Sequence, residues 1–251
     1  MSEPAAPIWV GTSWKMTKTL AEARAFADVL AATSWDPAVQ PFVIPPATAI
    51  AAVAERLAGS PVLVGAQDAH WEDAGAWTGE VSVPQVADAG ARLLEIGHSE
   101  RRAHFAETDE RVNLKVRAAL RHGVLPLVCV GEDARQREAG EQLATVTAQV
   151  RAALHGVPDD AAVLLAYEPV WAIGEGGTPA TPDDVAPVDE AVAHEAGPRR
   201  AVLYGGSVSL DNAAALLEVP GIGGLFVGRA AWQVEGYLAI VETAVESARR
   251  R

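Results

Sequence analysis

The amino-acid sequence predicts an α/β chain folded as one (β/α)8 barrel, with residues 1–251 forming a single catalytic domain. Three observations carry that expectation. Eight short, nearly continuous apolar runs are spread along the chain. Each is followed by a stretch of helical character. The length of 251 residues is that of one such barrel.

The apolar runs are IWVGTSW from Ile8, FVIPP from Phe42, VLVGAQ from Val62, LLEIGHS from Leu93, LPLVCVG from Leu125, VLLAYEP from Val163, AVLYGGS from Ala201 and GLFVG from Gly224. Strands covered on both faces show this pattern, because neither face meets water. Strict alternation with helices then implies a parallel sheet. An open doubly wound sheet is the structural alternative. No strand leads through GxGxxG into a first helix, so a dinucleotide fold is disfavoured.

Between the runs lie helices with readable ends. Thr19 and Glu22 form a capping box before LAEARAFADVL. The stretch from Thr108 stops at Gly123. A long amphipathic helix is expected from Arg137 to Leu154. A further helix opens at Pro182 with acidic residues in its first turn, and Pro187 is expected to break or kink it. The last runs from about Gln233 to Arg251.

Composition narrows the function classes. A net charge of −13 disfavours nucleic acid and anionic membranes as partners. It also repels phosphate at long range, so any phosphate site must be built locally from backbone N–H groups and a few cations. The single cysteine, Cys129, permits no intrachain disulfide and is read as a core residue. That usage fits a reducing, cytoplasmic setting. The start of the chain lacks the basic and apolar pattern of a signal peptide, and no apolar run nears the roughly 20 residues that span a bilayer.

In barrels of this kind the chemistry collects at the C-terminal ends of the strands. Those ends carry Ser13, Lys15, Gln67, His98, Glu100, Glu132, Glu168, Gly205, Gly206, Ser207, Gly228 and Arg229. A Lys, a His, a Glu and two glycine-rich turns suggest proton transfer on a phosphorylated substrate. Glu168, followed by Pro169 and apolar residues, would be partly desolvated and so a better base. His98 precedes a helix start with Ser99 as N-cap. A helix N-terminus disfavours imidazolium, so a neutral ring could donate to a carbonyl. Lys15 is placed to pair with Glu100. The turns YGGSV and VGRAAW are candidate phosphate cradles. No metal-ligand spacing and no GxSxG elbow is present, and neither metal nor cofactor is expected.

WKM, TGEVS, IGHSERR, AYEPVWAIG and YGGSV, in this order across essentially the whole chain, resemble the triosephosphate isomerase family. The resemblance implies that Glu168 moves a proton between adjacent carbons through an enediolate. It implies that neutral His98 polarises the carbonyl, that Lys15 supplies positive charge and that Glu100 positions it. Residues 169–179 resemble the family's mobile lid, with Gly174 and Gly176 in it. Ser207 and Gly228 match phosphate-binding positions. The loop around Thr78 resembles one that inserts into a second subunit, which implies a homodimer with Glu80 and Arg101 as a cross-subunit pair.

Four positions depart from the family pattern. Ser13 stands where the motif normally carries Asn. Gly177 replaces a lid Lys. Pro179 has no N–H to offer Tyr204, which latches the closed lid in relatives. Arg229 replaces the second Gly of the last phosphate turn, where it would add a bidentate phosphate contact or crowd the site. GTSWKM, IGEGGTPA and VGRAAW together resemble the erythrulose-phosphate isomerase branch of the family. The implied substrate is a tetrulose phosphate, L-erythrulose 1-phosphate giving D-erythrulose 4-phosphate. A triose phosphate is the alternative substrate, and a non-catalytic binding role on the same barrel is the remote one.

Overall fold

A computed structural model describes residues 6–173 and 177–250. Eight parallel strands close into a barrel in the order β1 to β8. They are β1 (Ile8–Ser13), β2 (Val39–Ile44), β3 (Leu63–Ala66), β4 (Leu93–Ile96), β5 (Leu125–Val130), β6 (Leu164–Tyr167), β7 (Val202–Tyr204) and β8 (Ile222–Val227). β1 pairs with both β2 and β8, which removes every sheet edge. All eight apolar runs are therefore strands, and the open sheet is excluded.

Strand alternation sorts the apolar side chains into two cores. Phe42, Ile44, Leu93, Leu127, Cys129, Leu164, Ala166, Leu203 and Phe226 fill the barrel interior. Their neighbours Val43, Leu94, Ile96, Val128, Val130 and Leu165 face outward and pack under the helices. Cys129 thus lies in the core, as expected.

The helices are α1 (Leu20–Ala32), α2 (Ile50–Arg56), α3 (Val83–Asp88), α4 (Ser99–His104), α5 (Asp109–Arg121), α6 (Ala134–Glu138), α7 (Gln142–Ala153), α8 (Pro182–Ala196), α9 (Ala213–Leu217) and α10 (Val234–Ala248). The Thr19–Glu22 capping box closes both of its hydrogen bonds, and Thr108 caps α5.

Two helix expectations are corrected. The continuous helix from Arg137 to Leu154 is two helices, α6 and α7. Gly140 takes φ +73°, and the Glu141 N–H returns to the Gln136 carbonyl at 2.8 Å, a Schellman-type stop. Pro187 does not end α8, which runs through it. Its ring and the Asp183 carbonyl it leaves unpaired are on exposed residues, where water serves that carbonyl and no packing is disturbed.

Candidate active site

The end of β1 is anchored before it turns. Trp14 is fully buried, and the Trp232 indole donates to the Ser13 carbonyl at 3.1 Å. Lys15 then adopts φ +49°, a left-handed conformation unusual for a residue with a Cβ. Gln67, from the end of β3, donates to the Lys15 carbonyl at 2.8 Å and holds that turn. The strained backbone aims the ammonium across the barrel mouth to Glu100, where Nζ meets Oε1 at 2.5 Å. Burial pushes the Glu100 carboxyl upward, but the bond and charge of Lys15 outweigh it and the net shift is downward.

β4 is followed by Gly97 and His98, and α4 begins at Ser99. The expected cap, Ser99, is corrected here. His98 is itself the N-cap, and its Nδ1 accepts the Glu100 N–H at 3.1 Å. That bond occupies the Nδ1 lone pair and leaves Nε2–H as the free donor of a neutral ring. Nε2 lies 3.5 Å from Oε1 of Glu168 and 4.0 Å from Oε1 of Glu95. Burial pulls the imidazole pKa down, while Glu168 and Glu95 pull it up and prevail. The expected lowering by the helix N-terminus is thus not the net direction at this ring. Two carboxylates set that direction.

Glu168 follows β6 and is 2% exposed. Its N–H donates to the Val130 carbonyl at 2.7 Å, which fixes the backbone, and its Oε2 takes the Ser99 N–H at 3.4 Å. Gly205 leaves room for it: a Cβ there would approach Glu168 Cγ to 2.9 Å. The turn after Glu168 is tied down by Glu132 at the end of β5. Glu132 accepts the Trp171 indole N–H at 2.7 Å and the Tyr167 hydroxyl at 3.1 Å. The Ser207 hydroxyl bonds the Ala172 carbonyl.

These residues converge on one cleft of about 300 Å³ lined by Ser13, Lys15, His98, Glu100, Glu168, Ile173, residues 205–208, Phe226 to Arg229 and Trp232. Ser207, Gly228 and Arg229 thus border the same cleft as Lys15. Gly174 and Gly176 lie outside the described residues. A larger hollow of about 600 Å³ at the N-terminal end of the barrel brings together no Lys, His and carboxylate set of this kind.

The sequence model of the triosephosphate isomerase family matches residues 8–244. The chain belongs to the triosephosphate isomerase family. Among its relatives, a protein of Mycolicibacterium smegmatis named L-erythrulose-1-phosphate isomerase is 54% identical over 96% of this chain and 94% of its own. Proteins of the same name from Mesorhizobium japonicum and Rhizobium meliloti are 51% and 52% identical, each over 94% of this chain and 96% of their own.

One residue of this family site was missed in the sequence. Glu95 is 2% exposed and points into the barrel, where its Oε2 accepts the Ser13 hydroxyl at 2.8 Å. Burial pushes its carboxyl up to about 7. The signal was a lone acid in LLEI, two residues after the inward-facing Leu93.

The Thr78 loop leaves the barrel as a projection. Residues 72–80 are all exposed, while the His70 N–H bonds the Val81 carbonyl at 2.8 Å and closes its base. Arg101 is engaged within the chain by Asp68 and Glu107, each at 2.7 Å, and Glu80 has no ion pair among the described residues. No helix among the described residues is long and apolar enough to cross a membrane.

Proposed function

We propose that the chain is an intramolecular isomerase that converts L-erythrulose 1-phosphate to D-erythrulose 4-phosphate. The observation that carries the chemistry is the convergence of Glu168, His98 and Lys15 on one cleft. The names of relatives above 50% identity support the four-carbon substrate.

Glu168 is the base. It removes the C3 proton, the electron pair moves to form the C2–C3 enediolate, and the proton returns at C2. His98 donates Nε2–H to the developing oxyanion and passes protons between O2 and O3. The net change moves the carbonyl from C2 to C3 and consumes nothing, so the reaction itself calls for no redox cofactor. Lys15, held by Glu100, faces the same developing charge. Ser207, the Gly228 turn and Arg229 hold the phosphate, which local donors must do in a chain of net charge −13. By the family resemblance, a lid after Glu168 excludes water from the enediolate.

The same base and acid would serve a triose phosphate, and the family match favours that as the second reading. We also assign a cytoplasmic homodimer, with the exposed loop around Thr78 entering the partner. Glu80, unpaired within the described part of its own chain, would face Arg101 of the second subunit. Turnover of L-erythrulose 1-phosphate in deuterium oxide tests the chemistry. Nuclear magnetic resonance should show D-erythrulose 4-phosphate carrying solvent deuterium at its C3, the carbon that was C2 of the substrate. No product, or product with no deuterium even at early turnover, contradicts an enediolate exchanging at Glu168.

A further inference from the structure

Glu95 is a carboxylic acid set in an otherwise apolar strand, and nothing in the proton-transfer scheme uses it. A buried carboxyl is costly, so it calls for a compensating role. Its position supplies one. Oε2 accepts the Ser13 hydroxyl at 2.8 Å, and Oε1 lies 4.0 Å from His98 Nε2. Ser13 lines the cleft, whereas Glu95 lies beneath it and does not.

A hydroxyl has one proton. When Glu95 is ionised, that proton points down to the carboxylate, and only lone pairs of Ser13 Oγ face the cleft. The cleft floor is then an acceptor, which recognises a substrate hydroxyl as donor. Without Glu95, Ser13 is free to turn its proton toward the substrate, and that selection is lost. We propose that Glu95, acting through Ser13, is a positioning residue that fixes substrate choice by presenting an obligate acceptor to a hydroxyl on the carbon chain beyond the reacting carbons. This rests on the four-carbon substrate proposed above, because a tetrulose phosphate carries one more hydroxymethyl group than a triose phosphate. Polar sites of this type discriminate strongly, since a substrate lacking the hydroxyl leaves the buried group unpaired.

The test is the ratio of kcat/KM for L-erythrulose 1-phosphate to that for D-glyceraldehyde 3-phosphate, measured above the point of about 7 to which burial raises the Glu95 carboxyl, in wild type, Ser13→Ala, Glu95→Leu and the double variant. Glu95→Leu should lower the ratio by about tenfold or more, and the double variant should match Ser13→Ala within about threefold, as expected for residues acting in series. Equal losses on both substrates, or losses that multiply in the double variant, overturn the proposal and leave Glu95 a structural group. Glu95→Met, unbranched and without a strong acceptor, carries the same criterion at about threefold if the leucine variant does not fold. A wild-type preference for the triose overturns the proposed function and this inference with it. A wild-type preference for the tetrulose with an unmoved ratio in the variants overturns this inference alone.

Discussion

His98 Nε2 lies 3.5 Å from Glu168 Oε1, while Nδ1 of the same ring is taken by the Glu100 N–H. The ring therefore has one free edge, and that edge faces the proposed base. A substrate carbonyl beside Nε2 would bring its neighbouring C–H under the Glu168 carboxylate. The base must reach that carbon, so its length matters.

Glu168→Asp retracts the carboxylate by about one C–C bond. The fold is expected to survive, because the Glu168 N–H, not its side chain, holds the strand end at 2.7 Å from the Val130 carbonyl. Steady-state kinetics should show kcat reduced by about a hundredfold or more with a smaller change in KM. Turnover near the wild-type rate would remove Glu168 from the role of base.

Arg229 lines the cleft beside Gly228, together with Lys15. If its guanidinium holds the phosphate, Arg229→Ala should raise KM and the inhibition constant of inorganic phosphate together, by about tenfold, with kcat less affected. An unchanged phosphate constant would show that Arg229 does not touch the anion.

Tyr204 is fully buried, and its hydroxyl has no hydrogen-bond partner among the described residues. Pro179 offers it no N–H. Tyr204→Phe should therefore leave kcat within about threefold and should raise stability by about 1 kcal/mol, by removing an unpaired polar group. A large fall in kcat would mean that the hydroxyl latches the lid through another partner.

Asp189 on α8 is wholly buried, with neither carboxylate oxygen hydrogen-bonded among the described residues, and burial pushes its pKa from 3.8 to about 7. Between those values the folded chain keeps a proton that the unfolded chain releases. Stability then falls as pH rises through this window and levels off above it. Glu95, raised from 4.5 to about 7, acts in the same direction. Asp189→Asn should flatten the Asp189 part of that slope, so the gain over wild type in denaturant unfolding should be larger at pH 8 than at pH 5, by about 1–3 kcal/mol. An equal offset at both pH values would contradict an ionisable origin.

The strands were legible because burial on both faces leaves an apolar run that needs no alternation. Helix starts were legible where one side chain caps them, at Thr19 and Thr108. The stop at Gly140 was missed because the residues around it stay amphipathic, and the break lives in a backbone angle. Pro187 misled because its cost depends on which face it occupies, and that face is solvent. The Lys15–Glu100 contact could be anticipated from two strand ends, those of β1 and β4, that open on the same mouth of the barrel. The carboxylates opposing the helix field at His98 could not, because Glu95 and Glu168 reach the ring from different strands. Glu95 itself was readable from its inward register and was passed over as part of an apolar run.

The central claim concerns the substrate, and one comparison addresses it most directly. The purified protein should be assayed side by side on L-erythrulose 1-phosphate and D-glyceraldehyde 3-phosphate. A kcat/KM higher by about a hundredfold or more for the tetrulose phosphate is the expected result. A comparable preference for the triose phosphate would contradict the account and make Ser13, Gly177, Pro179 and Arg229 tolerated variation in a triosephosphate isomerase.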